Sequence, residues 1–424
     1  MYELSTLDNG LRVLTVTMPY LQSVSMGFLV GVGSRYENDE QAGASHFIEH
    51  MLFKGTPRRP SARHIAEAIE GRGGVFNAST GVETTLYWAK VAASHLSEAL
   101  DVVSDMLLNA AFDADDLEKE RAVIAEEIHY ALDAPYSLAH ILVNQLQWPD
   151  HPLGRDVAGT QESVDSISRD TLLDYLSAHY RPGRTILSVA GPTPHQEILA
   201  LVESYLGGWE PGPPMDYEPA PALEPGNGPA VRIAHKDTEQ VQLSFSLGGV
   251  SRSDPERFAL RLLSILLGEG MRSRLFQEVR ERQGLAYSVG SYVTTLQDTG
   301  AVGSYAGVAP DKTEDAIRAI MHQLDLLAQE PAPEDELQAA RDFVSGRMAL
   351  SLEDPFTLAA WYARQELLED QILSPEETIG LLDSVQATEI QKVAQELFRT
   401  NRLNLVIVGP FSEDESRFRR AILD

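Results

Sequence analysis

The chain of 424 residues contains no cysteine. This absence excludes disulfide bonds, thiolate metal sites and a cysteine nucleophile, so any metal must be held by histidine or carboxylate side chains. No apolar run approaches the ~18–20 residues of a membrane-spanning helix. The N-terminal stretch MYELSTLDNGLRVLTV has neither the basic nor the apolar region of a signal peptide. We therefore expect a soluble, cytoplasmic protein that does not interact with membranes.

Positive charge is scarce, because 34 lysine and arginine residues are outnumbered by 63 aspartate and glutamate residues. The formal net charge of −29 disfavours nucleic acid and anionic membranes as partners. A basic peptide would be attracted, although the charge is equally consistent with a role in solubility alone. At ~100–200 residues per domain, the length predicts two or more domains.

Residues 46–50 read His-Phe-Ile-Glu-His, within an apolar helical stretch over residues 42–53. His46 and His50 are four residues apart and therefore lie on one face of the helix, with Glu49 at its flank. Two imidazoles with a nearby carboxylate suit a catalytic zinc site in which Glu49 is the general base. The order His-x-x-Glu-His is the inverse of the commoner His-Glu-x-x-His zinc motif.

A second helical stretch, residues 115–130, contains Glu120, Glu126 and Glu127. Glu120 and Glu127 are two helical turns apart and share a face, whereas Glu126 points about a third of a turn away. This geometry favours Glu127 as a third metal ligand, with Glu120 as its hydrogen-bonding partner or as a contact to substrate. His129, His140 and His151 have no partner at ligand spacing and are expected to be structural.

The chain also shows an internal repeat. FLVGVGSR (residues 28–35) resembles FSLGGVSR (245–252), and LEKERAVIAEEI (117–128) resembles LQAARDFVSGRM (337–348). Residues 207–229 are rich in proline and glycine and are predicted to be a linker. We therefore predict an α+β fold of two homologous domains, residues 1–206 and 230–424, each with a mostly antiparallel sheet covered by helices. The second copy has no histidine over residues 261–270, where the first has its two.

Three segments resemble the insulinase or pitrilysin family of inverted zinc metallopeptidases, in particular the two-domain branch that includes mitochondrial processing peptidase and its bacterial relatives. They are HFIEHMLFKGT (46–56), GGVFNAST (73–80) and EKERAVIAEEI (118–128). In this family the third zinc ligand is a glutamate roughly 75 to 77 residues after the second histidine. That spacing allows Glu126 or Glu127, and the family's seven-residue spacing to an upstream glutamate favours Glu127.

The resemblance implies further contacts. SRLFQEVRERQGLAYSVGSY (273–292) matches a family segment in which an arginine and a tyrosine reach the substrate carbonyl, here Arg280 and Tyr287. The strand with Asn77 and Ala78 is a candidate sheet edge to which an extended peptide could bind.

The family implies a zinc endopeptidase for peptide substrates, with each chain forming half of a clamshell chamber and working as a homodimer or as one subunit of a heterodimer. Two alternatives stay open: a non-catalytic structural or partner subunit of a larger complex, and a zinc enzyme that acts on a non-peptide substrate.

Overall fold

The computed structural model describes residues 2–213, 216–222, 228–369, 371–412 and 415–424. The α-helices in these residues are α1 (Ala44–Leu52), α2 (Ala62–Ile69), α3 (Leu96–Asn109), α4 (Ala114–Asp133), α5 (Pro135–Gln147), α6 (Gln161–Ser166), α7 (Arg169–His179), α8 (His195–Leu206), α9 (Arg257–Gly268), α10 (Thr313–Gln329), α11 (Glu334–Ser351), α12 (Pro355–Leu368), α13 (Pro375–Ser384), α14 (Ala387–Leu397) and α15 (Ser416–Leu423). A wider π-helical turn spans Phe276–Arg282. None of these helices is long and apolar enough to cross a membrane.

The first sheet has six strands in the order β1-β2-β6-β3-β5-β4. They are β1 (Tyr2–Thr6), β2 (Arg12–Thr17), β3 (Ser23–Val30), β4 (Val75–Thr80), β5 (Thr85–Ala92) and β6 (Thr185–Gly191). A hairpin joins β1 to β2, and its turn uses Gly10 at φ +93°. β2 and β6 are parallel, whereas the other neighbours are antiparallel. β4 is therefore an edge strand.

The second sheet has five strands in the order β7-β11-β8-β10-β9. They are β7 (Ala230–His235), β8 (Val241–Gly248), β9 (Ala286–Thr295), β10 (Gly300–Val308) and β11 (Asn404–Gly409). Only β7 and β11 are parallel among these neighbours. Without β1, the first sheet has the same strand order and the same directions, so the predicted duplication and the α+β class are confirmed.

Alternating burial explains how each sheet packs. In β5 the side chains of Tyr87, Ala89 and Val91 point into the first core, which also contains the apolar faces of α1 and α3. The other face of this sheet is covered by α12, whose Ala359 and Tyr362 are buried against β2 and β6. Covering both faces buries the central strands on both sides, as the fully buried pattern of β6 shows.

The structure divides into two compact units that are not contiguous stretches of chain. The first comprises residues up to His129, Arg155–Glu218 and Ala349–Leu373, and the second comprises Tyr130–Gly154, Pro219–Met348 and Ser374–Asp424. Consequently α5 belongs to the second unit and packs on β8 and β11, while α12 belongs to the first.

The two domains predicted from the sequence, residues 1–206 and 230–424, are contiguous stretches of chain. They therefore place α5 in the first domain and α12 in the second. Part of the predicted linker, residues 214–215 and 223–227, lies outside the described residues.

Candidate metal centre

Helix α1 presents His46 and His50 on one side because its opposite side is buried. Four apolar side chains anchor it in the first core: Phe47, Ile48, Met51 and Leu52. The two imidazole rings are 4.7 Å apart between centroids and their planes are 76° apart. Their side chains are 18% and 17% exposed, so both are largely shielded from solvent while one side remains accessible.

The start of α1 is fixed by a buried carboxylate. Glu37 accepts hydrogen bonds from the backbone N–H groups of Gly43 (2.8 Å) and Ser45 (2.7 Å). A negative charge is favoured at this end of a helix, where N–H groups lack partners. Burial nevertheless raises the pKa of Glu37 to about 7, against the lowering effect of these bonds and of Arg155. The residue preceding His46 is thus held in place from outside the helix.

Glu127 of α4 completes a group of three potential ligands. Its Oε2 lies 3.6 Å from Nε2 of His46 and 3.7 Å from Nε2 of His50. One potential ligand atom of each of these three residues lies within 4.8 Å of those of the other two. Two ligands of a tetrahedral zinc, each about 2.0–2.1 Å from the ion, are about 3.4 Å apart. The nitrogen and oxygen donors and their separations therefore fit a zinc ion.

The exposure of Glu127 leaves this group open on one side, since its side chain is 49% exposed. A catalytic zinc site needs three protein ligands and a free position for water or substrate. Glu126, the other candidate from the spacing, is exposed and is not part of the group.

Glu120 lies behind His50 rather than beside the open position. Its buried carboxylate contacts Nδ1 of His50 at 3.0 Å and Nζ of Lys54 at 2.6 Å. This contact puts a proton on Nδ1 and leaves Nε2 free to bind a metal. One predicted role paired Glu120 with Glu127, but the contacts observed are to His50 and Lys54, so Glu120 orients a histidine of the group. Sequence reasoning missed Lys54, although its position one turn after His50 was a usable signal.

Glu49 projects from α1 beside the three candidate ligands and is half-buried. Its Oε2 accepts a hydrogen bond from the hydroxyl of Thr80. Burial raises the pKa of Glu49, while the bonds from Thr80 and the proximity of His50 lower it. Burial, with His50 nearby, also lowers the pKa of His46 to about 4, which keeps this imidazole neutral at pH 7 as a metal ligand must be.

Asn77 and Ala78 lie on the edge strand β4, as predicted. The Asn77 side chain is exposed, and its Oδ1 accepts the backbone N–H of Ala78 at 2.8 Å. β4 packs next to α1, with the rings of Phe53 and Phe76 5.5 Å apart between centroids. The strand thus runs close to the metal-ligand helix and has one edge without a β partner among the described strands.

Arg280 and Tyr287 lie side by side in the second unit. Tyr287 is the second residue of the edge strand β9 and is 74% exposed. The guanidinium of Arg280 lies 5.6 Å from the centre of the Tyr287 ring and 4.8 Å from that of Phe276, which are cation–π distances. The structure therefore brings these two predicted residues together, on an exposed surface.

Two family profiles match this chain. One, described as Insulinase (Peptidase family M16), matches residues 12–161, and the other, described as Peptidase M16 inactive domain, matches residues 166–344. An uncharacterized zinc protease from Rickettsia bellii is 34% identical over 96% of this chain and 98% of its own length. An uncharacterized zinc protease from Bacillus subtilis is 35% identical over 96% of this chain and 97% of its own length.

Solved structures share the fold. A protease from Helicobacter pylori superposes with a TM-score of 0.90 at 23% identity, covering 97% of this chain and 99% of its own. A chain of Complex III2 from Candida albicans superposes with a TM-score of 0.85 at 20% identity, covering 99% of both chains.

Proposed function

Because the chain belongs to the insulinase family, peptidase family M16, we propose that it is a zinc-dependent endopeptidase that cleaves unfolded or extended peptides. The observation that carries the proposal is the convergence of His46, His50 and Glu127 beside Glu49. A peptidase of this type needs a metal held by three protein ligands, a free position and a base. The first unit offers three potential ligands, one open side and a neighbouring carboxylate, Glu49.

Zinc held by His46, His50 and Glu127 would supply a Lewis acid that lowers the pKa of a water molecule and polarises the scissile carbonyl. Glu49 accepts the proton of the attacking water on its carboxylate and delivers it to the nitrogen of the leaving amine. Glu120 keeps the proton of His50 on Nδ1, so that Nε2 remains a lone-pair donor.

The edge strand β4 supports the proposed substrate class. An extended peptide that adds to this edge is bound through its backbone, so broad sequence tolerance is expected. Asn77 and Ala78 are the residues proposed to contact it. The family resemblance further assigns Arg280 and Tyr287 hydrogen bonds to the substrate carbonyl, a contribution of ~3–4 kcal/mol if they act as oxyanion donors.

The alternative is a non-catalytic structural or partner subunit. Two findings favour it: the similarity of fold to a chain of Complex III2 and the match of residues 166–344 to an inactive domain. The intact ligand group in the first unit favours the enzyme, because a structural subunit has no need of an open metal position.

Cleavage of a mixture of unfolded peptides of varied charge by the purified chain tests the proposal. We expect cleavage that a chelator abolishes. Glu49→Gln should retain zinc and lose turnover by about 10²–10⁴-fold, the usual contribution of a positioned acid–base group. His50→Ala should lose both zinc and turnover. A Glu49→Gln variant with normal cleavage would refute the assignment of the base, and an intact chain with equimolar zinc and no cleavage would favour the subunit alternative.

We further propose that the active form is a homodimer, with a heterodimer as the alternative implied by the family. Light scattering of the purified chain at the concentration of the cleavage assay tests this. A stable dimer that cleaves supports the homodimer. An inactive monomer with equimolar zinc favours a different partner subunit.

A further inference from the structure

Thr80 is the last residue of β4 and lies on the face of the strand that packs inward. Alternation puts it on the same side as Phe76 and Ala78, which both pack against the first core. Ser79 lies on the opposite side and is exposed. The Thr80 side chain is therefore directed toward the elements behind the strand, among them α1.

The hydroxyl of Thr80 donates a hydrogen bond to Oε2 of Glu49, and the backbone N–H of Thr80 also stabilises the charged carboxylate. Within the described part of the chain, the structure gives Glu49 no other side-chain hydrogen bond. A glutamate carboxylate stands several rotatable bonds away from its helix, so α1 alone does not fix where it points. Thr80 supplies the second point of attachment.

The turn that follows Thr80 is itself held in place. The backbone N–H of Ser34 donates to the carbonyl of Gly81 (3.2 Å), and that of Arg35 donates to the carbonyl of Val82 (2.9 Å). These bonds tie the hairpin of β4 and β5 to the segment that leads into α1.

The same segment also fixes α1. Arg35 forms a buried ion pair with Glu83 of the hairpin (2.8 Å), and two residues later Glu37 holds the start of α1 through Gly43 and Ser45. Both partners of the hydrogen bond, the strand end and the helix, are therefore positioned by one short piece of chain. A contact supported in this way is built into the fold and is not an accident of two mobile side chains.

We propose that Thr80 is a positioning residue that holds the Glu49 carboxylate toward the attacking water and so couples the peptide-binding edge strand to the catalytic base. The inference rests on the proposed function, since it assigns Glu49 the role of base and β4 the role of substrate edge. Asn77 and Ala78 lie three and two residues before Thr80 in the same strand, so a peptide that adds there orders the strand that carries the hydroxyl.

Three variants test this inference. Thr80→Val removes the hydroxyl and keeps the shape, Thr80→Ser keeps the hydroxyl, and Ser79→Ala is the matched control on the opposite side of the strand. For Thr80→Val we expect kcat to fall about 10- to 100-fold, because a displacement of about 1 Å at a reacting group can cost 10²-fold. We expect its KM within about twofold of that of the wild type and its zinc content to stay equimolar.

Thr80→Ser should recover kcat to within about threefold of the wild type, and Ser79→Ala should leave it unchanged. A Thr80→Val variant with normal kcat, or equal losses in the Val and Ser variants, would overturn the proposal. So would loss of zinc or of folding in Thr80→Val, which would make Thr80 part of the ligand scaffold or of the core.

A second readout does not require turnover. In crystal structures of the wild type and Thr80→Val, the Glu49 carboxylate should take one position in the former and a different or divided position in the latter. If the wild type cleaves nothing, the proposed function fails while this comparison still decides whether Thr80 positions Glu49. An unmoved carboxylate in Thr80→Val would refute the positioning role.

Discussion

The two halves of this chain build the same sheet and use the helices beside it differently. In the first unit α1 and α4 carry the candidate metal ligands. In the second unit the corresponding helices, α9 and α11, border a cavity of about 230 Å³ with a largely apolar lining. Its apolar side chains are Ile265, Leu266, Met271, Ala339, Ala340 and Phe343. A candidate metal centre in one copy and a largely apolar cavity in the other accompany the same strand order, so this strand order does not require the metal ligands.

The alignment of α4 with α11 shows how little separates the copies. Glu120 and Glu127 are the seventh and fourteenth residues of α4, and Ala340 and Arg347 hold these places in α11. A short aliphatic group and a cation replace two carboxylates, so α11 lacks counterparts of the two carboxylates that α4 places at the candidate metal centre. Function therefore depends on a few side chains on a repeated framework.

The difference between the two units depends most strongly on Glu127, the candidate ligand that α4 contributes. We expect Glu127→Ala to lower zinc affinity by more than about 100-fold, because loss of a direct ligand should exceed the 10–100-fold cost of losing an outer partner. Peptide cleavage should be lost in parallel. Competition with a zinc chelator of known affinity measures the first effect, and Glu126→Ala is the matched control with normal binding. If Glu126→Ala lowered zinc affinity and Glu127→Ala did not, Glu126 would be the third ligand instead.

The starts of the two helices differ as well, since the buried Glu37 accepts N–H groups of Gly43 and Ser45 at α1, whereas the partly buried Asp254 accepts the N–H of Glu256 at α9. Burial raises the pKa of Glu37 from 4.5 to about 7. The folded state therefore binds this proton more tightly than the unfolded state, and stability falls as pH rises from about 4.5 to 7. Relative to Glu37→Gln, the wild type should lose about 3 kcal/mol over this range.

Urea unfolding of both proteins between pH 4.5 and 8, with chelator present so that zinc binding does not contribute, measures this difference. A constant offset between wild type and Glu37→Gln at every pH would contradict the raised pKa. It would then assign Glu37 a role through its hydrogen bonds alone.

The carboxylate of Glu120 contacts the candidate ligand His50. Glu120→Gln keeps the size of the side chain and removes the charge that orients His50 and pairs with Lys54. Zinc affinity should fall about 10–100-fold with the fold intact. Calorimetric titration of the zinc-free protein measures it. An unchanged affinity would show that His50 is oriented without this carboxylate.

The smallest expected effect comes from the second unit. Arg347→Glu restores a carboxylate at the place of Glu127, yet α9 offers no histidine in its sequence RFALRLLSILLG. Zinc content should stay at one ion per chain, as measured by metal analysis after dialysis. A second zinc ion in this variant would show that α9 and α11, like α1 and α4, can hold a metal once a single carboxylate is restored.

Much of the architecture was accessible from local patterns. The helical stretches at residues 42–53 and 115–130 and the recurrence of FLVGVGSR as FSLGGVSR all matched the structure, because each depends on a pattern within a short stretch. Local patterns did not predict the helix over residues 135–147 or the surfaces on which α5 and α12 pack. The surface on which each of these helices packs is formed by strands far away in the chain.

The sequence by itself determined the ligand types, their helical spacing and the existence of two related halves, since the absence of cysteine and the seven-residue interval between Glu120 and Glu127 are local facts. Only the tertiary structure decided that Glu120 contacts His50, that Thr80 reaches Glu49 and that Glu37 holds the start of α1. These contacts join residues that are 70, 31 and 8 or fewer positions apart. Periodicity predicts which face a side chain occupies, whereas the identity of its partner depends on how separate elements pack.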